Sequence, residues 1–151
     1  MENEMEKINK VLKIISEKLK SVDYAFIGSV NLYIQGLKIE PRDIDILTTP
    51  EIIKEIDEIL KEYRTKEIYF DKSEGRNSFR SFYEIDGMEI EVLGNVNNIS
   101  RKPDSLKDKI YIEFDKIKLP CMPLNDELNV YEKIGRKEKV EMIKKFLEAK
   151  K

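Results

Sequence analysis

Two aspartates separated by a single isoleucine, Asp43 and Asp45, are the residues of this chain best suited to chemistry. Residues 43–47 read Asp-Ile-Asp-Ile-Leu, an alternation typical of a strand, so both carboxylates share one face while Ile44 and Ile46 point to a core. On such a strand the two Cα atoms lie roughly 6.5 Å apart. Carboxylates aimed the same way repel. At about 5 Å and an effective dielectric near 20, the repulsion is on the order of 3 kcal/mol. Such a pair is most easily tolerated in water or around a divalent cation, and an all-oxygen ligand set favours Mg²⁺, with Mn²⁺ as an alternative.

The elements around this pair are those a phosphate-handling site needs. Residues 24–27 form a short apolar run that reads as a buried strand, and Gly28 and Ser29 end it by opening a helix over 30–35. A glycine there lets the backbone come close to a ligand. A helix N-terminus also leaves N–H groups facing outward, which suits a phosphate. Gly36 stops that helix, and Pro41 biases the preceding residue towards extended backbone before the Asp-Ile-Asp strand begins. Further on, 79–94 predicts a hairpin of strands 79–85 and 88–93, turning at Asp86 and Gly87. On its return strand Glu89 and Glu91 share one face, opposite Met88, Ile90 and Val92. If that strand lies beside the aspartates, one glutamate completes a three-carboxylate cluster, and periodicity alone does not choose between them.

On these residues the chain resembles the nucleotidyltransferase superfamily, the fold shared by polymerase beta, antibiotic nucleotidyltransferases and abortive-infection toxin enzymes. Gly28 and Ser29 resemble the family's turn after the first strand, Asp43-Ile44-Asp45 its acidic-hydrophobic-acidic strand, and Glu91 its third acid flanked by hydrophobics. The spacing from Gly28 to Asp45 is similar to that of the toxin-like and small antibiotic-modifying branches. The resemblance implies transfer of a nucleoside monophosphate from an NTP to an acceptor hydroxyl. It further implies that Asp43, Asp45 and Glu91 serve as catalytic and metal ligands, and that Gly28 and Ser29 contact the nucleotide. The chain departs from the pattern at Ile39 and Pro41, where relatives carry Arg and Thr; this leaves Arg42 as the candidate nucleotide contact ahead of Asp43. It departs again at 135–139, Gly-Arg-Lys-Glu-Lys, where relatives carry an Arg-x-Lys-Asp helix. The resemblance covers 24–93 closely and the remainder loosely.

Composition bounds the remaining possibilities. The 151 residues suffice for one modest core, and a 40% hydrophobic fraction argues for folding. The charged fraction of 38%, rich in Lys and Glu, looks thermophile-like. There is no histidine and a single cysteine, Cys121, so the usual zinc sites, His-activated nucleophiles and disulfides are excluded and chemistry falls to carboxylates. The net charge of −2 argues against long nucleic acid as a partner, leaving a small molecule or a protein as the favoured acceptor. Arg76, Arg80, Arg101 and Lys102 are candidate phosphate contacts, but in so charged a chain each is expected chiefly as a solvated surface residue. No leader or membrane-spanning segment is visible, so a cytoplasmic location is expected.

The expected order is helix 5–21, strand, helix, strand, helix 50–63, then strands near 66–71, 79–85 and 88–93. A hairpin within 108–119 turning near Asp115 and Lys116 follows, and two helices, 125–134 and 136–150, break at Gly135. Residues 95–109 read as a loop. The fold class is α/β (α+β), a mixed central sheet with flanking helices in one nucleotidyltransferase-like domain over 1–151, with a helical segment at 123–151. Tyr131, Arg136 and Lys139 are expected to pack the terminal helix, with one of them in reach of a triphosphate. Two other classes compete. One is a noncatalytic or regulatory nucleotide-binding protein of the same fold, such as a component of a toxin–antitoxin pair. The other is a small α/β interaction module whose acidic strands face solvent.

Overall fold

The computed structural model describes residues 3–73, 77–95, 101–102 and 104–150. Within them a seven-stranded mixed sheet runs in the order β3-β4-β5-β2-β1-β7-β6. Its strands are β1 (Ala25–Ile27), β2 (Ile44–Thr48), β3 (Arg64–Asp71), β4 (Ser78–Ile85), β5 (Met88–Asn95), β6 (Ile110–Phe114) and β7 (Ile117–Cys121). The helices are α1 (Glu4–Lys18), α2 (Gly28–Ile34), α3 (Ile52–Ile59), α4 (Leu124–Ile134) and α5 (Lys137–Ala149). This is the α+β architecture expected from the sequence. Among the described residues no helix is long and apolar enough to cross a membrane.

The helix α1 forms because Ile8, Val11, Leu12 and Ile15 recur on one stripe and Asn3 caps it, accepting from the Glu6 N–H at 2.8 Å. That stripe packs with α3 residues Ile53 and Ile56 on one face of the sheet, where Ile44, Ile46, Ile90 and Val92 are fully buried. The opposite face carries a smaller apolar patch of Ala25, Ile27, Leu47 and Met122, topped by Leu106. Leu106 comes from a 3-10 turn, Ser105–Asp108, inside the segment expected to be loop. A third cluster joins α2 to the terminal helices through Leu32, Leu124, Tyr131 and Ile143.

Both hairpins turn as the sequence predicts. Asp86 and Gly87 have φ of 51° and 81°, and Asp115 and Lys116 have φ of 47° and 73°, the mirror-image turns whose twist matches paired strands. Gly135, at φ 77°, closes α4, with its own N–H bonded to Glu132 O and the Arg136 N–H to Tyr131 O. Several boundaries differ from expectation. The helix expected over 50–63 stops at Ile59 and tightens into a 3-10 turn, Lys61–Tyr63. The first helix ends at Lys18 rather than 21. Asp43 lies one residue ahead of β2, because the pairing of β2 with β5 begins at Ile44 opposite Ile90.

Candidate functional site

Register decides which acidic side chains meet. Strand β2 pairs in parallel with β5, and Asp45 stands opposite Glu91. On its other side β2 is antiparallel to β1, with Asp45 opposite Ile27. The residue after Ile27 is Gly28, so the strand-to-helix turn sits beside the Asp45 carboxylate. Gly28 has φ +71°, and a Cβ there would lie 2.8 Å from Asp45 Oδ2. Only glycine meets both demands, a left-handed backbone and this close approach.

The Asp45 carboxyl is half-buried, and its pKa is pushed up to about 7. Burial is the largest cause, followed by the charges of Asp43, Glu91 and Glu127; Arg80 opposes them. Asp43 is exposed. The structure therefore brings Asp43, Asp45 and Glu91 into one electrostatic neighbourhood, with Asp45 at its centre. Glu89 is exposed and pairs across the hairpin with Glu84, away from Asp45.

Two of the basic residues expected at the surface are instead built into this site. Arg80 on β4 forms an ion pair with Glu91 and lies 3.2 Å from Asp71 Oδ2 on β3. Its side chain is 11% exposed. Arg101, 8% exposed, pairs with Glu127 of α4, which is 1% exposed. The expectation of solvated arginines fails here because each guanidinium is matched by carboxylates on other elements, Glu91 and Asp71 for Arg80 and the buried Glu127 for Arg101. Lys102 is exposed, and Arg76 lies outside the described residues.

Glu127 is the residue that sequence reasoning missed. It accepts from the Gly28 N–H at 2.5 Å and from Asn31 Nδ2 at 3.1 Å. Asn31 also donates to Met122 O, as does Gln35 Nε2, both at 2.8 Å. One backbone donor of the Gly28 turn is thus already held by a carboxylate. Beside it, Lys139 Nζ reaches Ser29 Oγ at 3.4 Å, and Lys139 has its pKa lowered by burial and by Arg136. Tyr131, under Arg136, has its hydroxyl pushed up to about 12, first by burial and then by Glu127. A signal for Glu127 was present: it falls three residues after Leu124 and four before Tyr131, on the apolar stripe of α4. Arg42 is exposed and lines a groove with Glu4, Lys7, Glu40 and Gly87.

The donors around Asp45 are all hard oxygens, and the raised pKa marks negative charge that a cation would offset; in these respects the residues fit a divalent metal. Among the described residues, however, no three acidic, His or Cys side chains already converge in a geometry able to hold one. Glu91 is turned to Arg80.

Comparison with known proteins bears on the fold that carries these residues. No family model matches the chain, and no curated protein matches it. Among solved structures, a Thermotoga maritima protein provisionally described as a nucleotidyltransferase superposes with a TM-score of 0.82 at 31% identity, covering 98% of this chain and 97% of its own. The antibiotic-resistance factor ANT(2'')-Ia shares the fold at a TM-score of 0.54 and 10% identity, over 98% of this chain and 94% of its own. With a relative above 30% identity matched along nearly its whole length, this chain belongs to the nucleotidyltransferase superfamily.

Proposed function

We propose that the chain is a metal-dependent nucleotidyltransferase that moves a nucleoside monophosphate from an NTP to an acceptor hydroxyl. The observation that carries this reading is the placement of Asp45 opposite Glu91, with a carboxyl raised to about 7 by burial and by Asp43, Glu91 and Glu127. In the reaction the acceptor oxygen forms a bond to the α-phosphorus, the bond from that phosphorus to the bridging oxygen breaks, and pyrophosphate leaves. The acceptor's proton passes to a carboxylate of the site, for which Glu91 is the candidate. Asp43, Asp45 and Glu91 are the residues that would hold Mg²⁺ or Mn²⁺, which supplies charge stabilisation to the transferring phosphoryl group. Ser29, with Lys139 beside it, and the Gly28 turn orient the outer phosphates, and Arg42 is the candidate contact ahead of Asp43. The acceptor is proposed to be a small molecule or a protein rather than a long nucleic acid.

One observation favours a second reading. Glu91 is held by Arg80 and the Gly28 N–H by Glu127, an arrangement that also suits a regulatory protein that binds nucleotide without turning it over. A thermal-shift screen of the four NTPs, with and without Mg²⁺ or Mn²⁺, tests the proposal. Stabilisation by at least one NTP only when metal is present is the expected result, and release of pyrophosphate with a suitable acceptor separates the enzyme from the regulatory protein. Absence of any metal-dependent shift would remove both readings.

A further inference from the structure

The carboxylates of the site continue into a row of charged side chains across the sheet. Partners in register share a face, so Asp45 and Glu91 point the same way, and so do Glu91 and its β4 partner Phe82. Arg80 is two residues from Phe82 and therefore on that face too. On β3, Tyr69 is opposite Arg80 and Asp71 is opposite Ser78, which puts Asp71 on the same face, diagonal to Arg80. The order from the middle of the sheet outward is thus Asp45, Glu91, Arg80, Asp71. The guanidinium contacts both acids that flank it, and all three side chains are largely buried, at 21%, 11% and 11% exposure.

We propose that Arg80 is a built-in counter-cation that competes with a divalent metal for Glu91, keeping affinity for the bare ion low until nucleotide is bound. The proposal rests on the reading of Asp43, Asp45 and Glu91 as metal ligands. Arg80 Nη1 sits on Glu91 Oε2 while Nε faces Asp71, so the positive charge and the oxygen it occupies are what a second cation would have to displace. Asp71 draws part of that guanidinium away from Glu91 and so sets how firmly Glu91 is held. The triphosphate brings its own oxygen ligands, so a metal–nucleotide complex needs less from Glu91 than the bare ion does. Arg80 acts here as a positioning residue.

Titration of Mn²⁺ alone, followed by the electron paramagnetic resonance of the free ion, tests this without any turnover. Arg80→Gln is expected to bind Mn²⁺ at least tenfold more tightly than the wild type, and Arg80→Lys to stay within about threefold of it. Asp71→Asn, which leaves the guanidinium to Glu91, is expected to bind Mn²⁺ more weakly. Lys72→Gln removes an exposed positive charge next to Asp71 and serves as the control for a general field effect, with a change below threefold. Equal or weaker binding by a folded Arg80→Gln would overturn the proposal, as would a gain in Lys72→Gln of the same size. Should Arg80→Gln fail to fold, unchanged or tighter binding by Asp71→Asn overturns it instead. Asp45→Asn separates this failure from failure of the site itself: if it binds Mn²⁺ as the wild type does, the metal-ligand reading falls and the inference with it.

Discussion

Asp45 and Glu127 are neighbouring carboxylates with opposite surroundings. Glu127 is sealed from solvent, and it is met by the Gly28 N–H, the Asn31 amide and the Arg101 guanidinium. Asp45 is half-buried among three other acids, with the charge of Arg80 opposing them, and its pKa climbs to about 7. A buried charge persists when hydrogen bonds and a counter-charge compensate it. Glu127 meets that condition within the protein. Asp45 does not, and on the proposed reading a divalent cation would supply the compensation it lacks. The contrast separates an acid tied into the fold from one proposed to be kept for a ligand.

The largest expected effect falls on the compensated acid. Glu127→Ala would strand the buried Arg101 charge and the Gly28 N–H, and is expected to cost about 3 to 5 kcal/mol in chemical denaturation. A loss below about 1 kcal/mol would erase the contrast with Asp45.

For Asp45 the sign reverses. Its folded pKa of about 7 lies above the ordinary value of 3.8, so the folded chain keeps a proton that the unfolded chain gives up between those values. Stability from this group is therefore fully present below about pH 4, falls as pH rises towards 7, and the penalty is complete above 7. The full shift would correspond to about 4 kcal/mol; partial exposure and screening reduce it to about 1 to 3 kcal/mol. Without divalent metal, Asp45→Asn should accordingly be as stable as the wild type or more so at pH 8. It should also lose that part of the pH dependence, which denaturation curves at pH 5 and pH 8 will show. Marked destabilisation at both pH values would assign Asp45 a structural role like that of Glu127.

Two glycines with left-handed backbones differ in the same way. Gly28→Ala must hold φ +71° and place a methyl 2.8 Å from Asp45 Oδ2, whereas Gly135→Ala must hold φ 77° with open space around it. The left-handed backbone alone costs roughly 1 to 2 kcal/mol, which is the expected loss for Gly135→Ala. Gly28→Ala should cost more, and it should also weaken metal-dependent NTP binding, since the added methyl displaces the Asp45 carboxylate. Equal losses in the two variants, measured by thermal denaturation, would mean that the turn does not press on Asp45.

Much of this arrangement was visible in the sequence because its signals are local. The alternation of 43–47, the Gly28 turn and the Asp86 and Gly87 hairpin each declare themselves within a few residues, and the structure places them as expected. The choice of Glu91 over Glu89 was not fixed by periodicity, because sliding the pairing by two residues keeps every side chain on its face. In the sequence only the resemblance to the family pointed to Glu91; in the structure Asp45 stands opposite Glu91. Arg80 and Arg101 were hidden for another reason. In a chain that is 38% charged, nothing local distinguishes a guanidinium that will meet a buried acid 26 residues away, as Arg101 meets Glu127, from one that will face water. Glu127 was the exception, since an acid on an apolar helical stripe is itself a sign of a buried partner.

On the proposed reading, the acids around Asp45 form a divalent metal site for a nucleotide. Anomalous diffraction from crystals grown with Mn²⁺ and a non-hydrolysable NTP analogue tests it most directly. A manganese peak is expected within about 2.5 Å of the Asp45 carboxylate, shared with Asp43 or Glu91 and touching the triphosphate, and it should be lost in Asp45→Asn. A nucleotide bound elsewhere, or a manganese peak that persists unchanged in Asp45→Asn, would contradict it.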